Sequence, residues 1–264
     1  MKNISILGCG WLGFPLAKEL ANSGYPVKGS TTTEEKLAQL IANHILSYNI
    51  ILEESGISGD VTAFLNGSNI LIIDIPPRVN TGADFVSKIK LLIPYIEKSE
   101  VSNVLFVSST SVYADDNRDV MEETVPTPST ESGRQLLAAE QLLQQNECFQ
   151  TTIIRFGGLI GEDRHPITSL AGKTSIQNPD APINLIHRED CIGIITSILD
   201  NDIWGEVING VTPYHPARQD YYVAKAEEYG LKPPHFIDGL SVGKKVLSTK
   251  VGTLLKYKFK VPKL

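Results

Sequence analysis

An α/β fold, a doubly wound parallel sheet with a small C-terminal lobe, is what this sequence predicts. Three observations carry that expectation. Strand-like and helix-like stretches alternate over the first 160 residues, and several apolar runs are continuous rather than alternating. A glycine cluster, Gly8-Cys9-Gly10-Trp11-Leu12-Gly13, lies between the first strand and the first helix. Alternation of this kind implies parallel strands joined by right-handed helical crossovers.

The elements follow in order. Residues 4–7 form a short apolar run that ends in glycine, hence a strand. Leu12, Leu16, Ala17, Leu20 and Ala21 then recur at helical spacing as far as Ser23-Gly24, a helix stop. Residues 25–28 read as a second strand and 33–42 as a second helix. Residues 70–73 and 104–107 are continuously apolar, as strands buried on both faces are. Between them Phe85, Ile89, Leu92, Ile93 and Ile96 mark a helix. Residues 131–145 read as another helix and 152–154 as another strand. After Gly161 the rhythm breaks: Pro166, Pro179 and Pro182 punctuate an irregular stretch before a helix over 190–199. Pro213, Pro216, Pro233 and Pro234 suit a smaller lobe better than further strand–helix units. The expected division is a sheet domain over 1–160, completed by about 184–210, and a substrate lobe over 161–183 and 211–264.

The bulk numbers narrow the class. A chain of 264 residues, 42% hydrophobic and 20% charged, can bury a core and is not a disordered type. Its net charge of −6 argues against a nucleic-acid binder, which needs a basic surface. Cys9, Cys148 and Cys191 form no C-x-x-C pair, and the five histidines show no ligand spacing, so neither a disulfide framework nor a metal site is expected. The N-terminal residues run straight into the glycine turn without a signal-peptide core. No run approaches the ~20 apolar residues of a membrane helix. The expectation is a cytoplasmic protein without a membrane partner.

A lone G-x-G-x-x-G is weak, but a strand before it and a helix after it are the context the dinucleotide-binding fingerprint requires. Gly8 permits the tight turn, Gly10 lets the backbone approach a pyrophosphate, and Gly13 lets helix and strand pack closely. The backbone N–H groups of Trp11 and Leu12 would join the free N–H groups of the helix start as the anion seat. The fold expected is therefore Rossmann-type. An NAD site places an acid ~20 residues on, to hold the ribose 2′-hydroxyl. Here Lys28-Gly29-Ser30-Thr31-Thr32-Thr33 has none. Hydroxyls of Ser30, Thr31 and Thr32, with Lys28 or Lys36, suit a 2′-phosphate, so NADP is favoured over NAD. Alternatively the threonines cap the helix that starts near Glu34. Pro76 and Pro77 stiffen the strand end beside the dinucleotide and remove two donors.

With this loop, Phe106-Val107-Ser108-Ser109-Thr110-Ser111-Val112-Tyr113 resembles the extended short-chain dehydrogenase/reductase superfamily, the NAD-dependent epimerase/dehydratase group. Three further stretches agree. They are Glu122-Glu123 through Pro126 and Pro128 to the helix Ser132–Glu140, Arg155-Phe156-Gly157-Gly158-Leu159-Ile160-Gly161, and Asn184-Leu185-Ile186-His187-Arg188-Glu189-Asp190. The match spans roughly residues 1–200. The resemblance implies Ser108 beside the cofactor and Ser109 binding a substrate oxygen. Thr110 and Ser111 replace the acid pair of sugar-nucleotide dehydratases, which argues against that reaction. The catalytic helix departs most: Ser132 stands where the family has Tyr, and Leu136 where it has Lys. Serine has no acidity near neutral pH, and leucine lowers no neighbour's pKa, so the standard proton relay fails. In the family the tyrosine at 113 is usually structural or lines the pocket; the group that would move the proton is unidentified, with Tyr113 or a water held by Ser132 as candidates. Arg134 reads as a surface residue, His165 as an exposed loop residue, and His187 with Asp190 as fixing a turn.

The function so implied is an NAD(P)-dependent oxidoreductase or epimerase with a degenerate active site, acting on a hydroxyl, carbonyl or sugar-nucleotide substrate. The alternative is a non-catalytic sensor of cofactor state. Residues 85–96 and 136–143 would suit a homodimer seam.

Overall fold

The computed structural model describes residues 2–77 and 84–264. Seven parallel strands form the central sheet among these residues: β1 (Ile4–Leu7), β2 (Val27–Thr31), β3 (Leu46–Asn49), β4 (Ile70–Ile73), β5 (Asn103–Ser109), β6 (Gln150–Phe156) and β7 (Val207–Gly210). They lie in the order 3-2-1-4-5-6-7. Helices α1 (Gly13–Asn22), α2 (Glu34–Ala42), α3 (Val61–Leu65), α4 (Phe85–Glu97), α5 (Glu131–Gln144), α6 (Ile167–Leu170), α7 (Arg188–Asp200), α8 (Arg218–Glu228) and α9 (Thr249–Thr253) connect or follow them. This is a Rossmann-type fold, with the strand order reversing beside β1, where such sheets open a crevice at their carboxyl ends.

Two apolar layers sandwich the sheet. On one side α1 and α7 bury Leu16, Leu20, Ile194 and Ile198. On the other α4 and α5 bury Ile89, Leu92, Leu136 and Leu143. A separate cluster of Ile167, Ile183, Tyr221, Tyr222 and Phe236 holds the lobe. The strands read as 70–73 and 104–107 are buried at every one of those positions except Val107.

Several elements differ from the sequence expectation. β2 starts at Val27 and continues through Gly29, Ser30 and Thr31, because β1 and β3 pair with it on both sides. Gly29 fits only as glycine, since a Cβ there would lie 2.7 Å from Cys9 Sγ. β3 and a hairpin of Ile51–Glu53 with Gly56–Ser58 were not anticipated. Within 211–264, Tyr221, Tyr222 and Phe236 join Ile167 and Ile183 of the expected lobe, but later residues pack elsewhere. Lys245–Val246 pairs with Asp119–Val120, and Val251 and Leu255 bury in the same core as α1 and α7. Pro15 falls in the first turn of α1, where its missing N–H costs no helical hydrogen bond. No helix among the described residues is long and apolar enough to cross a membrane.

Candidate functional site

The glycine loop leaves β1 in a left-handed turn. Gly8 has φ +106°, and a Cβ on it would lie 2.3 Å from the Asp74 carbonyl oxygen. Its N–H donates to Ser30 Oγ at 3.1 Å, and Cys9 N–H donates to the Ser30 carbonyl at 2.7 Å. A Cβ on Gly13 would lie 2.2 Å from the Gly8 carbonyl oxygen. The fold itself therefore demands Gly8 and Gly13. Gly10 is different: a Cβ there meets nothing nearer than the Gly8 oxygen at 4.0 Å. Its backbone faces a cleft of about 220 Å³ that also touches Gly8, Cys9, Ser30, Thr31, Thr32, Asp74 and Pro76. Small size at position 10 keeps backbone bare toward open space, which is what a diphosphate needs to approach it. The loop fits the dinucleotide the sequence implies.

The far end of the cleft is walled by Ile50, Ile51 and Leu52, an apolar surface suited to a base, with Lys36 and Lys88 at its rim. No carboxylate stands at the end of β2, where Thr31 and Thr32 are. Lys28 is not available to a ribose phosphate. Its Nζ donates to the Ala63 and Asn66 carbonyls at 2.9 and 2.6 Å, pinning α3 under the sheet. Trp11 is half-buried and Leu12 is buried in the core, so Leu12 can offer a ligand only its backbone.

Asp74, at the end of β4, was not singled out by its sequence, although an acid directly after a buried strand beside the loop is a readable signal. Its carboxylate accepts the Gly13 N–H, and Oδ2 lies 3.0 Å from where a Gly13 Cβ would stand. Burial pushes its pKa from 3.8 to about 7, against the pull of Gly13 N–H and Arg164. A carboxyl whose folded-state pKa is raised favours the fold below the unfolded value and loses that advantage as pH rises to about 7. Asp74→Asn keeps an acceptor for Gly13 and removes this loss. The expected result is a melting-temperature gap, variant over wild type, that widens between pH 4 and pH 7 and is constant above. Thermal melts across that range test it; a gap independent of pH would refute the assignment.

The proposed catalytic residues are only partly brought together. Ser109 ends β5 and its Oγ accepts the Ser111 N–H at 3.2 Å, capping a short 3-10 turn, Thr110–Val112. α5 packs on that turn so closely that a Gly133 Cβ would lie 2.2 Å from the Ser111 carbonyl oxygen. Ser132, half-buried in the first turn of α5, is thereby held near the end of β5, while Leu136 is buried in the core. Tyr113 is not a replacement acid. It is 1% exposed, and its hydroxyl is engaged by Arg155 Nη1 at 2.8 Å, Asn209 Oδ1 at 2.9 Å and the Met121 carbonyl at 3.2 Å. Burial raises its pKa further. Ser108 Oγ is taken up inside the core, where it donates to Glu140 Oε1 at 2.5 Å, so any cofactor contact there falls to its backbone. Pro76 lines the cleft and Pro77 is half-buried beyond it.

The remaining candidates are structural. His165 is buried rather than exposed. Its Nδ1 accepts the Ile167 N–H at 3.1 Å, which leaves Nε2–H to donate to Tyr221 at 2.9 Å. His187 Nδ1 caps α7 through the Glu189 N–H. Asp190 does not pair with it, but accepts from Tyr257 Oη and the Lys260 and Val261 N–H groups, anchoring the C-terminal segment. Arg134 is at the surface, paired with Glu131 at 2.9 Å.

Residues 3–125 match the family model for the NAD binding domain of 6-phosphogluconate dehydrogenase. Over 250 residues the chain is 36% identical to Protein YeeZ of Escherichia coli (strain K12), covering 92% of this chain and 90% of that protein. The chain belongs to the YeeZ family. Among solved structures, a functionally unknown conserved protein from Silicibacter pomeroyi superposes with a TM-score of 0.79 at 23% identity, over 100% of this chain and 95% of that one. UDP-glucuronic acid 4-epimerase from Bacillus cereus, solved in complex with NAD, superposes with a TM-score of 0.80 at 20% identity, over 99% and 92%. The second likeness shows that the YeeZ-family chain shares its fold with an epimerase. The family model that matches its first half is of the 6-phosphogluconate dehydrogenase kind.

Proposed function

We propose that this chain binds a nicotinamide dinucleotide, NADP in preference to NAD, and acts as an oxidoreductase or epimerase on a hydroxyl or carbonyl of a sugar-nucleotide-type substrate. The observation that carries the reading is Gly10, the one loop glycine that the fold leaves free and the cleft requires. The diphosphate would lie on the backbone at Gly10, the base against Ile50 and Leu52, and a 2′-phosphate between Thr32, Lys36 and Lys88. When bound, the nicotinamide ring gives or takes a hydride. Ser109 Oγ accepts from Ser111 N–H and keeps its own proton to donate to a substrate oxygen. A water on Ser132 would move the proton that Tyr113, its hydroxyl engaged by Arg155 and Asn209, is not placed to move. The fold shared with the Bacillus cereus epimerase supports the substrate class.

Titration with NADPH and NADH tests the reading through tryptophan emission, with Trp204→Phe leaving Trp11 as reporter. Quenching by NADPH at lower concentration than by NADH is expected. Lys36→Gln is expected to weaken NADPH about tenfold, the loss of one charge-assisted contact, and to leave NADH within twofold. Equal losses for both would remove the 2′-phosphate assignment, and quenching by neither would remove the dinucleotide.

A second reading, a sensor of cofactor state without catalysis, is favoured by Leu136, which sits 3% exposed in the core where the family resemblance puts a lysine. Turnover assays over carbonyl and sugar-nucleotide substrates that detect cofactor oxidation would eliminate it.

A further inference from the structure

Arg164 stands on the loop that follows Gly161, outside the sheet, and reaches back over the glycine loop. Its guanidinium lies 5.0 Å from the centre of the Trp11 ring, and Trp11 is the residue directly after Gly10. A second guanidinium, from Arg188, lies 4.7 Å from the same ring. The two cations are not equivalent. Arg188 Nη1 donates to Asp163 Oδ1 at 3.1 Å, and that oxygen also accepts Trp11 Nε1–H at 3.0 Å. Arg188 is thus neutralised and fixed. Arg164 makes no salt bridge among the described residues, is exposed, and is close enough to Asp74 to pull on its carboxylate. Asp74 in turn accepts the Gly13 N–H at the start of α1. The Asp74 carboxyl therefore already sits at the start of α1, and an uncommitted cation, Arg164, lies over the adjoining Trp11 ring.

We propose that Arg164 closes from its place over the Trp11 ring onto the diphosphate of the bound dinucleotide. The inference rests on the dinucleotide reading above and adds a ligand that the glycine fingerprint does not contain. A guanidinium can address two phosphate oxygens at once, and the α1 N-terminus supplies the other side of the seat. The residue also ties cofactor binding to the position of the 161–164 loop. The groups facing it are Asp74 from β4, Trp11 from the glycine loop and the Arg188–Asp163 pair from α7 and its own loop.

The test is calorimetric titration of the full chain and of Arg164→Gln, Arg164→Lys and Arg188→Gln with NADPH, ADP and adenosine at two salt concentrations. Arg164→Gln is expected to weaken ADP and NADPH about tenfold or more, to leave adenosine within twofold, and to flatten the salt dependence. Arg164→Lys is expected to recover most of the loss. Arg188→Gln disturbs the same indole packing but removes a charge already paired, so a loss of less than threefold is expected. If wild type binds ADP and NADPH and Arg164→Gln binds them equally well, the assignment of Arg164 is overturned alone. If Arg188→Gln and Arg164→Gln weaken ADP and adenosine to the same degree, the effect is packing on Trp11 and the assignment is again overturned. A wild-type chain that binds neither ADP nor either dinucleotide overturns both readings.

Discussion

Replacing Gly10 with valine is expected to cut affinity for NADPH and NADH at least 100-fold while leaving the melting temperature within about 3 °C of wild type. Position 10 is not in the left-handed region, and an added Cβ finds no atom nearer than 4.0 Å, so the fold has room for the side chain. The room is the cleft itself. A branched side chain there would hold a diphosphate a methyl group away from the backbone N–H groups that should receive it. Gly13→Ala should behave in the opposite sense. Its Cβ would meet the Gly8 carbonyl oxygen at 2.2 Å and carbon at 3.1 Å, and both belong to a backbone already fixed by Ser30. Overpacking of that kind costs about 1–3 kcal/mol or more, a fall of roughly 2–12 °C for a chain of this size. Titration and melting of the two variants side by side measure both effects. Normal binding by Gly10→Val would move the ligand away from the loop altogether.

The contrast between those glycines shows what could be read from the sequence. The turn, the helix after it and the buried strands were legible because each is decided by residues adjacent in the chain. β3 was not, because Leu46 is 62% exposed, the strand lies at the sheet edge, and its backbone pairing with β2 rather than an apolar pattern makes it a strand. Side-chain destinations were harder still. Lys28 looked free for a phosphate until α3 presented two carbonyls to it. Ser108 and Tyr113 looked like site residues until Glu140 and Arg155 took their hydroxyls. His165 looked exposed until Tyr221 of α8 covered it. In each case the deciding partner comes from a distant segment, and motif spacing carries no information about it. Arg164 was missed for the same reason, since its meaning depends on reaching the Trp11 ring of a distant loop. Asp74, by contrast, had a local signal, an acid directly after a buried strand.

Breaking the buried Arg155–Glu140 pair should be the most destabilising single change outside the loop. Arg155 is 4% exposed and Glu140 fully buried. Nη2 lies 2.6 Å from Oε2, Nε lies 3.1 and 3.2 Å from the two carboxylate oxygens, and Nη1 donates to Tyr113. Ser108 completes the shell of the carboxylate. Arg155→Leu strands a buried carboxylate, and Glu140→Leu strands a buried guanidinium. Each is expected to cost about 3–5 kcal/mol, a melting temperature lower by roughly 6–20 °C. The double variant should be more stable than either single one, because the desolvation cost of both ions goes with them. Melts of the three variants give the coupling directly. The pair joins β5, α5 and β6, so it positions Ser109 and Ser132 without touching the glycine loop. Folded single variants should therefore keep NADPH affinity within about threefold while losing any turnover. If instead the two single costs simply add in the double variant, the carboxylate and guanidinium are acting as separate packing groups. The alignment of Ser109 with Ser132 would then owe nothing to their charge.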